Sequence, residues 1–240
     1  SWTTEMWPLR DSSGEVNAVA LAAFDSTEQY WARERLALLN EAAASIGTTL
    51  DVIRTAEEFV ELLVPRYADF ASVDLLDWVL GSEERPGVLE EDVVLRRVAH
   101  GSVTEGTPEA AVHIGAADIH PAFSPPAKAL HAGRAVFSQA GEPDFVRWVA
   151  ERNARAPAGS PHRRGVHSML AVPLRARGTT LGVVVGVRIA NPDDYGEDDA
   201  ILGEELASRA AVCIDNARRF ARERNTALVL QHSLLPRGLP

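Results

Sequence analysis

Seven histidines and one cysteine are the side chains of this sequence with the widest chemical range. His113 and His120 stand seven residues apart with Asp118 between them, a set that could meet on one loop as metal ligands. His162 and His167 flank Arg163-Arg164-Gly165-Val166. Neither spacing is that of two histidines one helical turn apart or of a zinc knuckle. A single histidine among His100, His113, His131 and His167 could instead be an axial haem ligand. The plainer reading makes each of them a hydrogen-bonded or solvated side chain. Cys213 stands between Val212 and Ile214 and reads as a small buried hydrophobe. Paired acids, Asp193-Asp194 and Glu204-Glu205, fall in a turn or on a solvated helix face. There is no GxSxG elbow, no glycine loop to cradle phosphate and no nucleophile beside a placed base. The residues themselves therefore predict no catalysis, no metal site and no resident cofactor in these 240 residues.

What remains is binding. Trp78, His100, Phe123, Phe137, Trp148, His167 and Met169 are the candidates to line a ligand pocket, with plain core packing as the alternative for the apolar ones. The formal net charge of -10 and a pI near 5.2 argue against a nucleic-acid partner, which needs surplus Lys and Arg, and against an anionic membrane surface. A single cysteine excludes an internal disulfide and favours a reducing, cytoplasmic setting. No apolar run is long enough to span a bilayer, and no signal peptide is visible.

The elements that must position these residues follow from periodicity and punctuation. Residues 5–25 read as a hairpin about Asp11-Ser12-Ser13-Gly14, followed by a helix start with Asp25 as N-cap and Glu28 completing an acidic capping box. From Ala32, the positions Ala32, Leu36, Leu39, Ala43, Ile46 and Leu50 are spaced 4-3-4-3-4, as in a coiled-coil seam or a short core stripe. Asp51 caps a second helix whose apolar face is Val52, Ala56, Phe59, Val60 and Leu63. Strands are expected in "ADFASVDLLDWVL" and "EEDVVLRRVAHGS". A helix runs from about Pro125 to His131, ended by Gly133, and another lies in "EPDFVRWVAERNARA". The clearest hairpin is "SMLAVPLRARGTTLGVVVGVRIA", turning at Arg177-Gly178. One very long helix follows, with Gly196 as its N-cap. On it Leu206, Ala210, Cys213, Ala217, Phe220 and Ala227 are spaced 4-3-4-3-7.

Three stretches resemble known families. Val172-Pro173-Leu174, Gly178, Leu181-Gly182-Val183, then Leu202, Leu206-Ala207, Ala211, Ile214 and Asn216-Ala217 resemble the C-terminal half of a GAF domain, and the preceding elements from about Tyr30 fit the rest. The resemblance implies an α+β sandwich: a central antiparallel sheet, long N- and C-terminal helices on one face, and a ligand pocket on the other under residues 113–156. Within that family, "NPDDYGEDDA" departs from the cyclic-nucleotide signature, since Pro192 and Ala200 replace its Lys and Glu. Cys213 is misplaced for bilin attachment, and the redox cysteines of the methionine sulfoxide reductases are missing. The opening hairpin with Asp25-Ser26-Thr27-Glu28 resembles the last strands and exit motif of a PAS domain.

The third stretch is Glu223-Arg224, Thr226-Ala227-Leu228, Leu230-Gln231, Ser233-Leu234-Leu235-Pro236 and Leu239-Pro240. It resembles the connector preceding SpoIIE-like, PPM-type serine/threonine phosphatase domains of actinobacteria. The resemblances divide the chain into a PAS remnant (1–28), a GAF domain (29–220) and a connector (221–240) carrying Leu234, Leu235 and Pro236. They imply a non-catalytic sensor excised from a phosphatase. Mn or Mg would sit only in the missing catalytic domain, and the substrate would be a phosphorylated anti-anti-sigma factor. The alternative is the same sensor on a histidine kinase or diguanylate cyclase. A parallel homodimer is expected, joined through Leu36, Leu39, Ala43 and Ile46 and through Leu206, Cys213, Ala217 and Phe220.

Overall fold

A computed structural model describes residues 2–81, 88–155 and 165–234. His162 and the connector residues Leu235 and Pro236 lie outside the described residues. The chain divides into two compact units, 1–41 and 42–240.

In the first unit, β1 (Trp2–Arg10) and β2 (Val16–Asp25) form an antiparallel hairpin. Its turn is held by Asp11, whose carboxylate accepts from the backbone N–H groups of Ser13 and Glu15, while Gly14 takes φ 87. Helix α1 (Thr27–Ser45), whose last residues belong to the second unit, starts one residue later than expected: the first helical bond runs from Tyr30 N–H to the Ser26 carbonyl, not to Asp25.

The second unit is built on a six-stranded antiparallel sheet of order β5-β4-β3-β8-β7-β6. Helix α2 (Val52–Leu63) begins at Asp51, whose side chain accepts the Arg54 N–H at 2.8 Å, and it buries Ala56, Phe59, Val60 and Leu63. Strand β3 (Phe70–Leu75) is central and wholly buried; it ends before Asp77, where a short helix α3 (Asp77–Leu80) replaces the expected continuation of the strand. Strand β4 (Val93–Ser102) pairs with β3 on one edge and with β5 (Ala117–His120) on the other. Helix α4 (Pro125–Ala132) is capped by Ser124 and closed by Gly133 at φ 65. Strand β6 (Val136–Gln139) and helix α5 (Pro143–Arg155) precede the hairpin β7 (Ser168–Ala176) and β8 (Thr179–Arg188). The hairpin turns through Arg177 (φ 49) and Gly178 (φ 73), the paired left-handed geometry of a two-residue connection.

Helix α6 (Glu197–Leu234) runs 38 residues. Leu202, Leu206, Ala207, Ala210, Ala211, Ile214 and Ala217 are buried, and α6 packs on β7 and α2. The stripe recurs every three to four residues, as a helix lying on a sheet requires. From Arg219 to Leu228 every described side chain is exposed. This corrects the expected seam: Leu206 and Ala217 are fully buried in the chain's own core, so they have no surface left for a partner helix. Cys213 is likewise turned inward, its Sγ 3.7 Å from the Ile46 carbonyl, and Ile46 is itself buried. Leu36, Ala43 and Phe220 are exposed and Leu39 half-buried.

Candidate functional site

The two faces of the sheet differ in chemistry. In an extended strand alternate residues point to opposite faces, so on β3 Phe70, Ser72 and Asp74 share one face and Ala71, Val73 and Leu75 the other. The apolar set faces α2 and α6. The polar set lines a cavity with Val185 and Val187 of β8, Met169 of β7, Arg97 of β4, His120 of β5, and Trp148, Val149 and Arg152 of α5. The cavity is small, about 20 Å³, room for roughly one water molecule.

A bulge decides what β4 contributes. The pairing slips between Val73 and Asp74, so Val73 faces Ala99 while Asp74 faces Arg97. Strict alternation would set Arg97 and His100 on opposite faces. The slip puts Arg97 opposite Asp74 and His100 opposite Ser72, both on the polar face. Arg97 then grips Asp74 with two bonds, Nε to Oδ1 at 2.7 Å and Nη2 to Oδ2 at 3.1 Å. Ser72 adds its hydroxyl to Asp74 Oδ2 at 3.1 Å. Both members of the pair are buried. Burial opposes the charge of Asp74, yet Arg97 outweighs it and the carboxyl is held below its ordinary value.

A second ion pair joins the buried Arg152 to the partly exposed Asp118, and Arg152 lies 4.9 Å over the Trp148 ring. Between the two pairs stands His120, 1% exposed. Burial, then the charge of Arg152, pushes its pKa from 6.5 down to about 4, so the imidazole is neutral near pH 7. Several polar atoms in the cluster remain unmatched among the described residues: the donors Arg97 Nη1 and Arg152 Nε and Nη1, and the two ring nitrogens of His120, one a donor and one an acceptor in the neutral ring. A buried polar group without a partner costs about 1–3 kcal/mol. Buried groups of this kind are completed by ordered water or by a ligand, and the space beside them is of water size.

Sequence reasoning placed the pocket under residues 113–156, and the cavity lies beside the described part of that segment, bounded by His120, Trp148 and Arg152. Of the side chains it named, Trp148 and Met169 line the cavity. His100 is one rung beyond, its ring 6.0 Å from Phe70 and its Nε2 3.4 Å from the Thr107 hydroxyl. The other four are elsewhere. Trp78 packs on the helix side beneath Arg218, 4.9 Å from its guanidinium. Phe123 lies under Arg147 at 3.9 Å. Phe137 pairs with Leu170 on an outer strand. His167 ties the turn before α6, bonded to Asp194 at 2.8 Å and to the Asn191 carbonyl at 2.7 Å; the Asp194 carboxylate raises its pKa. Sequence reasoning missed Asp74, Arg97 and Arg152; a charge within an apolar strand is the one signal for Asp74, while Arg97 and Arg152 turn inward through strand pairings that the sequence does not show.

The metal and haem readings find no further support in the geometry. His113 and His131 are exposed, and the His131 ring meets the Glu91 carbonyl. Among the described residues, no group of three His, Cys, Asp or Glu side chains could hold a metal ion. No described helix is long and apolar enough to cross a membrane.

Comparison with known proteins matches the fold. The family model for the GAF domain covers residues 54–215. The GAF domain of an Acinetobacter phosphoenolpyruvate-protein phosphotransferase superposes with a TM-score of 0.53 at 14% identity, covering 78% of this chain and 97% of that one. The equivalent domain from Coxiella burnetii gives 0.52 at 16% identity, over 78% and 96%. A free methionine-R-sulfoxide reductase from Neisseria meningitidis, in complex with its substrate, gives 0.51 at 16% identity, over 78% and 91%. No curated protein matches the sequence. With its antiparallel sheet, its polar cavity under α5 and a family match across residues 54–215, the chain belongs to the GAF domain family of regulatory sensor modules.

Proposed function

We propose that this chain is a non-catalytic sensory module that controls a SpoIIE-like, PPM-type serine/threonine phosphatase through α6. The observation that carries the reading is the make-up of that helix. Its first half is locked to the sheet whose far face lines the cavity, and its second half, exposed from Arg219 onward, leads into the segment 223–240 that resembles the phosphatase connector. A ligand that completes the polar cluster changes the packing of β3, β4 and α5. The sheet passes that change to α6, the element that joins sensor to output. The catalytic Mn or Mg would belong to the phosphatase domain, whose substrate is a phosphorylated anti-anti-sigma factor.

The test joins the chain in frame, after Pro240, to a SpoIIE-like phosphatase domain and follows dephosphorylation of such a factor with Mn. The isolated chain is expected to show no turnover. The fusion is expected to turn over at a rate that changes when the cavity is perturbed by Met169→Trp, a substitution far from both the connector and the catalytic domain. Chelator-sensitive turnover by the isolated chain, or a fusion indifferent to the cavity, refutes the reading.

A further inference from the structure

We propose that His167 is a proton-operated latch on the start of α6: as imidazolium it holds the segment 189–196 at two points, and as neutral imidazole it releases one of them. The latch stands apart from the cavity, and only its effect on output rests on the sensory reading.

Geometry fixes the charge of the ring. His167 Nδ1 lies 2.8 Å from Asp194 Oδ1, and Nε2 lies 2.7 Å from the Asn191 carbonyl oxygen. An ionised carboxylate and a carbonyl only accept. A neutral imidazole has one N–H and would turn a lone pair on one of these oxygens, whichever tautomer it took. Only the imidazolium donates to both. The bond to Asp194 favours the charged ring, burial opposes it, and the Asn191 carbonyl and the Asp69 carboxylate favour it further. The other charged residue at this place is Arg188, whose backbone carbonyl accepts the His167 N–H at 3.3 Å and whose guanidinium is taken up by Asp199.

The other ties on the segment do not respond to pH near neutrality. Asp69 Oδ2 accepts from the backbone N–H groups of Ile189, Ala190 and Asn191 at 2.6, 2.7 and 3.0 Å. The Ser168 hydroxyl accepts the Tyr195 N–H at 2.8 Å, and Arg188 Nη1 donates to the Asp194 carbonyl at 3.1 Å. Of these groups only a histidine ring changes charge in that range.

From Asp194 the tie reaches α6 in two steps. Its carboxylate meets His167 and its carbonyl meets Arg188, and Arg188 Nη2 binds Asp199 Oδ1 at 2.9 Å. Asp199 stands in the first turn of α6, where its Oδ2 accepts the Gly196 N–H at 3.0 Å, the returning half of a capping box. Loss of the His167 proton removes a donor from Asn191 or Asp194 and so loosens the segment that caps the output helix.

Side-chain and backbone 15N NMR of the whole chain tests this, at low ionic strength because salt screens a partly exposed pair. Both ring nitrogens of His167 are expected to carry protons at about pH 6, and its titration midpoint is expected above the ordinary 6.5. Asp194→Asn keeps an acceptor but removes its charge, and is expected to lower that midpoint. The amides of Tyr195, Gly196 and Asp199 are expected to shift with the His167 midpoint in the unaltered chain and to lose that step in His167→Gln. A pKa raised by folding gives stability that is present below the unfolded value and lost as pH rises through the folded one. The urea midpoint of the chain is therefore expected to exceed that of His167→Gln by less at about pH 8.5 than at about pH 6. The proposal is overturned if His167 titrates at or below 6.5, if Asp194→Asn leaves its midpoint unchanged, or if the Asp199 amide stays still while His167 titrates. None of these outcomes involves a phosphatase. With all of them as expected, a phosphatase fusion whose dependence on pH is unaltered by His167→Gln sinks the coupling through α6 and leaves the latch standing.

Discussion

Arg97 and Asp74 face each other across adjacent central strands, joined by bonds of 2.7 and 3.1 Å with both side chains buried. The pair exists because a bulge in β4 turns Arg97 onto the face that Asp74 occupies. A buried pair of this kind costs desolvation and regains it through geometry, so its members depend on one another more than the fold depends on them. Asp74→Leu strands the Arg97 charge and is expected to destabilise the chain by about 3–5 kcal/mol in urea unfolding. Asp74→Leu/Arg97→Met removes both charges and is expected to recover most of that loss. A double variant no more stable than the single one would show that the pair is not a self-contained unit.

His120 links stability to pH. Its pKa is lowered in the folded state, from 6.5 to about 4, so the unfolded chain binds the extra proton between those values. Stability therefore rises with pH across that window, is fully present above the unfolded value, and is lost as pH falls toward 4, with a ceiling of about 3 kcal/mol. His100 and His167 titrate nearby, with values lowered and raised respectively. The measurement is thus a difference: urea midpoints for the chain and for His120→Gln at several pH values. The variant is expected to lose part of the slope below about pH 6.5 whatever its absolute stability. Identical slopes would remove His120 from the account.

Gly182 allows β8 to reach β3. A Cβ there would stand 2.2 Å from the Asp74 carbonyl oxygen and 2.7 Å from the Leu75 Cα, both backbone atoms that cannot swing aside. Gly182→Ala is expected to cost about 3 kcal/mol or more, as overpacking against fixed atoms does. At Gly141 nothing lies within 4 Å, and the same change there is expected to stay within about 0.5 kcal/mol. Thermal melts of the two variants check the contrast.

The elements that announced themselves were those with local causes. The turn at Arg177-Gly178, the cap at Asp51, the glycine stop at Gly133 and the apolar face of α2 are all written within a few residues of where they act. Strands β5 and β6 were not legible, because four residues are too few to show alternation. The site was half legible for a related reason. Trp148 and Met169 stand out as large side chains on predicted elements. Arg97 reads as a solvated charge until the bulge in β4 is known, and a bulge is a property of pairing with β3, not of β4 alone. Arg152 reads as one charge among several on α5 until Asp118, from a strand that sequence did not reveal, arrives beside it. Periodicity also misassigned α6. A stripe spaced 4-3-4-3 fits a partner helix and the chain's own sheet equally well, and the sheet took it.

That last ambiguity sets the final prediction, which concerns self-association. The homodimer expected from sequence cannot use Leu206 or Ala217, since both are spent on the core. What α6 still offers beyond the sheet is Phe220, 46% exposed, with Leu228 at 44%. On α1, Leu36 is 61% exposed. If the chain dimerises through these helices, Phe220→Asp and Leu36→Asp are each expected to shift it toward monomer in sedimentation while circular dichroism and melting temperature hold. Leu206→Asp is expected to do the opposite: it buries a charge against β7 and unfolds the domain, losing several kcal/mol. The contrast separates surface from core on one helix. The dimer proposal fails if the unaltered chain sediments as a monomer at about 50 μM, well above a micromolar Kd. It also fails if Phe220→Asp and Leu36→Asp leave the dimer intact. The assignment of Leu206 to the core fails if Leu206→Asp dissociates the chain without unfolding it.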